Sequence, residues 1–242
     1  MICSLILGRK GSVGFPGKNT HKIMGKPLAW YPMMAAKSCN LIDQNFISTD
    51  DEDLKILGST LNFTVIDRPE YFATSGALGE DAYKHGFEEI NKIVEQDIEF
   101  LVLLFCNAAT INSDLISEGI ALLRDNPDAD SAVTVSKYNM YSPLRARKIT
   151  NGFLEPFIPF ENFESVESLN CDRDSQGDVW FADVSVSVIR PKNLINLDEG
   201  QLPQRWMGQK ILPIINNAGF DLDYEWQIGQ VEWWLKNHNE KK

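Results

Sequence analysis

Residues 2–7 form a short apolar run closed by Gly8, the pattern of a buried strand. The next stretch, GRKGSVGFPGK over residues 8–18, holds four glycines and a proline in eleven residues and must be a loop. Pro27 stands where helices favour a start, so LAWYPMMAAKSC is expected as a helix whose first turns Pro32 distorts. Residues 45–48 read as a second strand, Thr49 as the cap of a short helix through Leu57, and residues 63–66 as a third strand. Across residues 80–96, Tyr83, Phe87, Ile90 and Val94 recur at helical spacing. Phe100–Phe105 is continuously apolar, as a central parallel strand is. A helix over 114–123 and a strand over 131–135 follow.

The pattern changes near residue 138. Asn151-Gly152 lies between apolar residues in 147–154 and signals a hairpin. Residues 155–176 are polar and aromatic and read as irregular. Residues 179–189 alternate through Phe181, Val184, Val186 and Val188 as a strand does, and 223–236 read as a closing helix rich in tryptophan. Strands alternating with helices predict a doubly wound α/β sheet, in which ligands bind beyond the carboxyl ends of the strands. The loop at 8–18 lies at that edge. The whole of 1–242 is read as a single domain, with an excursion over about 140–180.

Composition narrows the function. The 242 residues are 43% hydrophobic and 24% charged, which suits a folded chain rather than a disordered one. A net charge of −11 disfavours nucleic acid and anionic membranes as partners. Residues 1–42 nevertheless contain Arg9, Lys10, Lys18, Lys22, Lys26 and Lys37 and no carboxylate, so all 34 acidic residues fall in the remainder. A cationic segment in an acidic chain points to a focused anion site. The four cysteines and three histidines are scattered, which argues against a disulfide framework or a zinc site. With no apolar run long enough to span a membrane and no cleavage pattern at the start, a soluble cytoplasmic protein is expected.

The loop is neither a P-loop, since Gly17-Lys18 is followed by Asn19, nor G-x-G-x-x-G. Its glycines still allow backbone N–H groups to converge on an anion, and Arg9, Lys10 and Lys18 add charge, a chemistry that suits a triphosphate. The run LILGRKGSVGFPGKN, followed by GKPL and ISTDDEDL, resembles the cytidylyltransferases that activate acidic sugars. These are the acylneuraminate (CMP-sialic acid) synthetases and their legionaminate, pseudaminate and Kdo relatives. The resemblance rests on Arg9, Gly11, Ser12, Gly14, Pro16, Lys18 and Asn19, and continues through Arg68-Pro69-Glu70 and the DLDYEW at 221–226.

That resemblance implies a Rossmann-like doubly wound mixed sheet with an inserted dimerisation arm, acting as a homodimer. It also implies the reaction of CTP with an acidic sugar, a sialic-acid-like nonulosonate, giving CMP-sugar and pyrophosphate with Mg2+. Arg9, Gly11, Ser12, Lys18 and Asn19 would cradle the triphosphate, Arg9 and Lys18 being the catalytic pair that stabilises the leaving pyrophosphate. Arg68 would lie near the nucleotide, and Asp221 and Asp223 would position the metal. Two departures stand out. Val13 replaces a cation that the family carries after the loop serine, and Cys106-Asn107-Ala108-Ala109-Thr110 replaces its Q-P-T-S-P, leaving Asn107 to serve there.

Other residues have plainer readings. Asp221 and Asp223 share a face only if the first ends a strand; otherwise Asp223 caps the following helix. Asp50 and Asp51 suit a helix N-terminus. The resemblance puts Trp180, Phe181 and Asp183 near its sugar-contacting residues, although the two aromatics more simply suit a core or an interface. The tryptophans of the last helix suit packing, and Asp172-Arg173-Asp174 suits a solvated cluster, although Arg173 could pair a sugar carboxylate. Rival functions are another nucleotidyltransferase, making a UDP- or ADP-sugar, and a non-catalytic nucleotide-binding protein of the same fold.

Overall fold

The computed structural model describes residues 1–163, 170–172, 176–219 and 221–238. Its elements run β1 (Ile2–Gly8), β2 (Lys22–Ile23), β3 (Lys26–Pro27), α1 (Trp30–Ser38), β4 (Gln44–Thr49), α2 (Glu52–Thr60) and β5 (Thr64–Asp67). Then come α3 (Gly79–Ile93), β6 (Phe100–Phe105), α4 (Ser113–Asp125), β7 (Ser131–Lys137), β8 (Arg147–Thr150) and β9 (Phe153–Pro156). The chain continues through β10 (Trp180–Ile189), α5 (Lys192–Ile195), β11 (Ile211–Asn216) and α6 (Ile228–His238).

Seven strands form one sheet in the order β11-β7-β10-β6-β1-β4-β5. β10 runs antiparallel to both of its neighbours and the remaining pairs are parallel, so the sheet is mixed. The period of two in β1 supplies both faces. Ile2 and Ile6 pack with Met33 and Ala36 of α1, Leu54 of α2, and Ile116 and Ile120 of α4. Cys3, Leu5 and Leu7 pack with Tyr83, Phe87 and Ile90 of α3 and Leu194 of α5. Each fully buried Leu or Ile contributes about 1.5–3 kcal/mol. Because β1 connects outward to β4 while β6 lies on its other side, the strand order reverses there. A crevice at the carboxyl ends of β1 and β6 is the geometric result.

The doubly wound α/β expectation holds, and several local expectations change. Pro27 lies in β3 opposite Lys22, and α1 starts at Trp30. Asp51, not Thr49, caps α2: its side chain accepts from the Asp53 N–H, while Thr49 Oγ1 accepts from the Asp51 N–H. β11 had no counterpart in the sequence reading. Asn151 and Gly152 both have positive φ, 51° and 84°, as the turn between β8 and β9 requires. Arg173 and Asp174, and part of the excursion over 140–180, lie outside the described residues.

Candidate active site

A cavity of about 370 Å³ opens at the crevice. It is lined by Arg9, Ser12, Lys18 and Asn19 from the glycine-rich loop, Arg68 after β5, Asn107 after β6, and Asp223 near the C-terminus. Seven residues singled out from four separate stretches of sequence therefore share one wall system. Gly11 and Asp221 are not among the lining residues.

The loop is held from several sides. Asn19 is buried, and its Nδ2 donates to the Arg9 carbonyl at 3.2 Å. The Lys10 N–H donates to Asp50 Oδ1 at 2.9 Å. Asp50 thus ties the loop down, a role that needs the parallel pairing of β1 with β4 and was invisible in the sequence. Gly14 is pressed against the far wall: a Cβ there would come within 2.7 Å of the Asp223 carbonyl and 3.2 Å of the Tyr224 ring. Val13, 79% exposed, lines the cavity, and Lys10 is not among the lining residues.

Arg68 is not the surface residue that an extended turn would give. It is buried, with Nη2 donating to the Ser48 carbonyl at 2.6 Å and Nε to Ser48 Oγ at 3.2 Å. Burial pushes its guanidinium pKa down, yet the group stays cationic in the range where proteins work. With two donor sites engaged on Ser48, its planar fork has further N–H groups for an anion in the cavity that it lines.

Lys18 Nζ lies 2.6 Å from Asp223 Oδ1, with the lysine side chain largely covered and the carboxylate more than half exposed. Asp223 is therefore not a helix cap. α6 begins at Ile228, after a 3-10 turn over Glu225–Gln227 that Tyr224 precedes, and Gln227 Oε1 accepts from the Asp223 and Tyr224 N–H groups. Nor does Asp221 end a strand, since β11 stops at Asn216. The segment is aimed by other means. The Leu222 N–H donates to the Asn107 carbonyl at 3.2 Å, and Asn107 Nδ2 donates to the Leu222 carbonyl at 3.5 Å.

Asp221 Oδ1 is shut off from solvent and has no hydrogen-bond partner among the described residues. Burial first, then the neighbouring Asp223, pushes its carboxyl pKa up to about 7. An unpartnered carboxylate oxygen beside a second carboxylate is a donor set suited to a hard divalent cation. No cluster of three or more ligating side chains occurs among the described residues.

The aromatic residues depart from expectation. Val231 and Leu235 are the buried residues of α6, while Trp226 and Trp233 are exposed; Trp226 stacks on Tyr224 at 6.4 Å. Trp180 and Phe181 are exposed, which sets aside the core half of their expected core-or-interface reading, and Phe181 meets Tyr138 and Tyr141 edge-on. No helix among the described residues is long and apolar enough to cross a membrane.

Comparison with known proteins bears on the family and the fold. Residues 3–70 match the family model described as cytidylyltransferase. Over 143 residues the chain is 26% identical to an N-acylneuraminate cytidylyltransferase of Escherichia coli O18:K1:H7 (strain RS218 / NMEC). That match covers 59% of this chain and 33% of the relative, so the chain spans about a third of the curated protein's length. Among solved structures, a CMP:2-keto-3-deoxy-manno-octonic acid synthetase complexed with CTP is similar in fold. It has a TM-score of 0.70 and 16% identity, with 98% of each chain covered. A 4-diphosphocytidyl-2C-methyl-D-erythritol synthase from Anaerococcus prevotii DSM 20548 gives 0.63 at 11% identity, covering 97% of this chain and 96% of that one. The resemblance to the cytidylyltransferases of acidic sugars, read from the loop and the terminal motif, is thereby supported, and the Rossmann-like fold is shared.

Proposed function

We propose that this cytidylyltransferase-like chain couples CTP to an acidic sugar of the sialic-acid-like nonulosonate class, releasing pyrophosphate and CMP-sugar. The observation that carries the reading is the convergence of Arg9, Ser12, Lys18, Asn19 and Arg68 on one cavity that Asp223, paired with Lys18, also lines. Three cations and a glycine-rich backbone suit a triphosphate, and a facing carboxylate would repel it unless a divalent cation came between. Asp221 and Asp223 would hold Mg2+, which when bound neutralises phosphate charge and lowers the pKa of a nearby hydroxyl.

The anomeric hydroxyl oxygen of the sugar attacks the α-phosphorus of CTP. A new P–O bond forms, the α,β-bridging P–O bond breaks, and the hydroxyl proton is lost. Transfer of this kind depends on positioning and charge stabilisation rather than covalent catalysis by the protein. Arg9 and Lys18 bind the leaving pyrophosphate, and Arg68 holds the nucleotide from the β5 side. We further propose a homodimer as the working unit, its contact made by the excursion over about 140–180, of which the β8–β9 hairpin is part.

Four nucleoside triphosphates assayed against a panel of acidic sugars, with pyrophosphate as the readout and with and without Mg2+, test this reading. Release requires CTP, an acidic sugar and the metal together. Preference for another base would favour a UDP- or ADP-sugar nucleotidyltransferase. Binding of CTP without turnover on any sugar would favour the non-catalytic reading, for which the exposed Val13 is the specific observation.

A further inference from the structure

Strand β10 is irregular at one place. Ala182 pairs with Val135 and Ser187 with Val133, so the four residues between them face Thr134 alone. Within this bulge Val184 has a φ of 49°, a conformation that a β-branched residue adopts only under constraint. The bulge lets the Asp183 side chain span two residues of one face of β7. Asp183 Oδ1 accepts from Thr134 Oγ1 at 2.5 Å and from the Ser185 N–H at 3.0 Å, and Oδ2 accepts from Ser136 Oγ at 2.5 Å.

The network does not end in the sheet. Ser136 Oγ accepts from the Gly219 N–H at 2.9 Å, and Tyr138 Oη donates to the Gly219 carbonyl at 3.0 Å. A hydroxyl has one proton. By taking that proton, the Asp183 carboxylate turns the Ser136 lone pairs toward Gly219. Contact is also direct, since a Cβ on Gly219 would run into Asp183 Oδ2 and Cγ. Two residues further on lies Asp221, and the segment is fixed again at Leu222 by Asn107.

We infer that Asp183 is a positioning residue. Through Ser136 it holds the backbone of Gly219, and so sets the course of the segment that carries Asp221 and brings Asp223 to the cavity. The bulge with its constrained Val184 is the device that puts Asp183 within reach. The consequence for metal and turnover rests on the function proposed above; the consequence for the backbone does not.

The test therefore has two arms. In the first, hydrogen exchange at the Gly219 amide is measured in wild type, Asp183→Asn, Ser136→Ala and the double variant. Both single variants speed exchange, and the double variant adds little, because the two residues act through one chain of hydrogen bonds. In the second, Mg2+ and CTP titrations of pyrophosphate release separate the half-saturating metal concentration from kcat. Each single variant raises the metal requirement by on the order of 10–100-fold, the usual effect of removing a group that orients a metal ligand. Should Asp183→Asn fail to fold, Ser136→Ala alone decides. Wild-type exchange at Gly219 in Ser136→Ala, or effects that sum in the double variant, would overturn the inference. If wild type proves inactive on every substrate while exchange responds as stated, the proposed function fails and the positioning role stands.

Discussion

At 2.6 Å the Lys18 ammonium and the Asp223 carboxylate satisfy each other, and each is also claimed by a different part of the proposed ligand. A phosphate needs the lysine, and a cation needs the aspartate. Binding of the two should therefore be interdependent. With divalent cations chelated, Asp223→Asn is expected to bind CTP about two- to fivefold more tightly than wild type, the scale of a partly solvated ion pair. In a Lys18→Ala background that gain should shrink, and calorimetry of the four proteins measures it. Equal gains in both backgrounds would mean that the pair is incidental.

Asp221 makes a prediction about stability. Its folded-state pKa, raised to about 7, lies above the value in an unfolded chain, near 3.8. As pH rises from about 4 to 7, the unfolded state gives up its proton before the folded state does, so this carboxyl progressively favours unfolding. Above both values the penalty is constant. Asp221→Asn has no such proton to lose. Its melting temperature without metal should therefore exceed that of wild type by an increasing margin between pH 4 and 7, then by a constant one. A margin independent of pH would show that Asp221 is not desolvated in solution.

The join between β1 and the glycine-rich loop is tight. A Cβ on Gly8 would come within 2.6 Å of both Cys106 Sγ and Leu54 Cδ1. Gly8→Ala should cost about 1–3 kcal/mol through overpacking, and adding Cys106→Ala should recover part of it, as urea denaturation can measure. Continuous apolar runs made β1 and β6 legible, and apolar residues at helical spacing made α3 so. Pro213 hid β11: a proline argues against a central strand, and β11 tolerates it as the sheet's edge. The bulge in β10 was equally hidden, because four residues facing one are a property of two strands together. In α6 the tryptophans suggested the buried face, whereas Val231 and Leu235 form it.

For the whole molecule, the charged part of the cavity wall could be anticipated from sequence because Arg9, Lys18, Arg68 and Asp223 carry charge outside the regular elements. What could not be read was how those loops are tethered. Asp50, Asp183 and Ser136 act on residues 40 or more positions away in the chain. Assembly beyond one chain is the remaining expectation. Ile149, Phe153, Leu154 and Phe157 stand exposed on and beside the β8–β9 hairpin, an apolar surface that a second subunit would cover. Leu154→Glu should lower the sedimenting mass from two chains to one with little loss of secondary structure by circular dichroism. A wild-type chain sedimenting as a monomer at micromolar concentration would remove the arm from the account.

The ion pair between Lys18 and Asp223 joins positions 205 residues apart. During synthesis, the glycine-rich loop is made 205 residues before the carboxylate that pairs with it. For most of that interval the loop's cations face no partner from the terminal segment. The cleft cannot be complete until residue 223 has joined the chain. A premature stop just before that point would leave most of the sheet's sequence intact and an open-sided site, so selection against shortened products would act here through lost chemistry before lost folding.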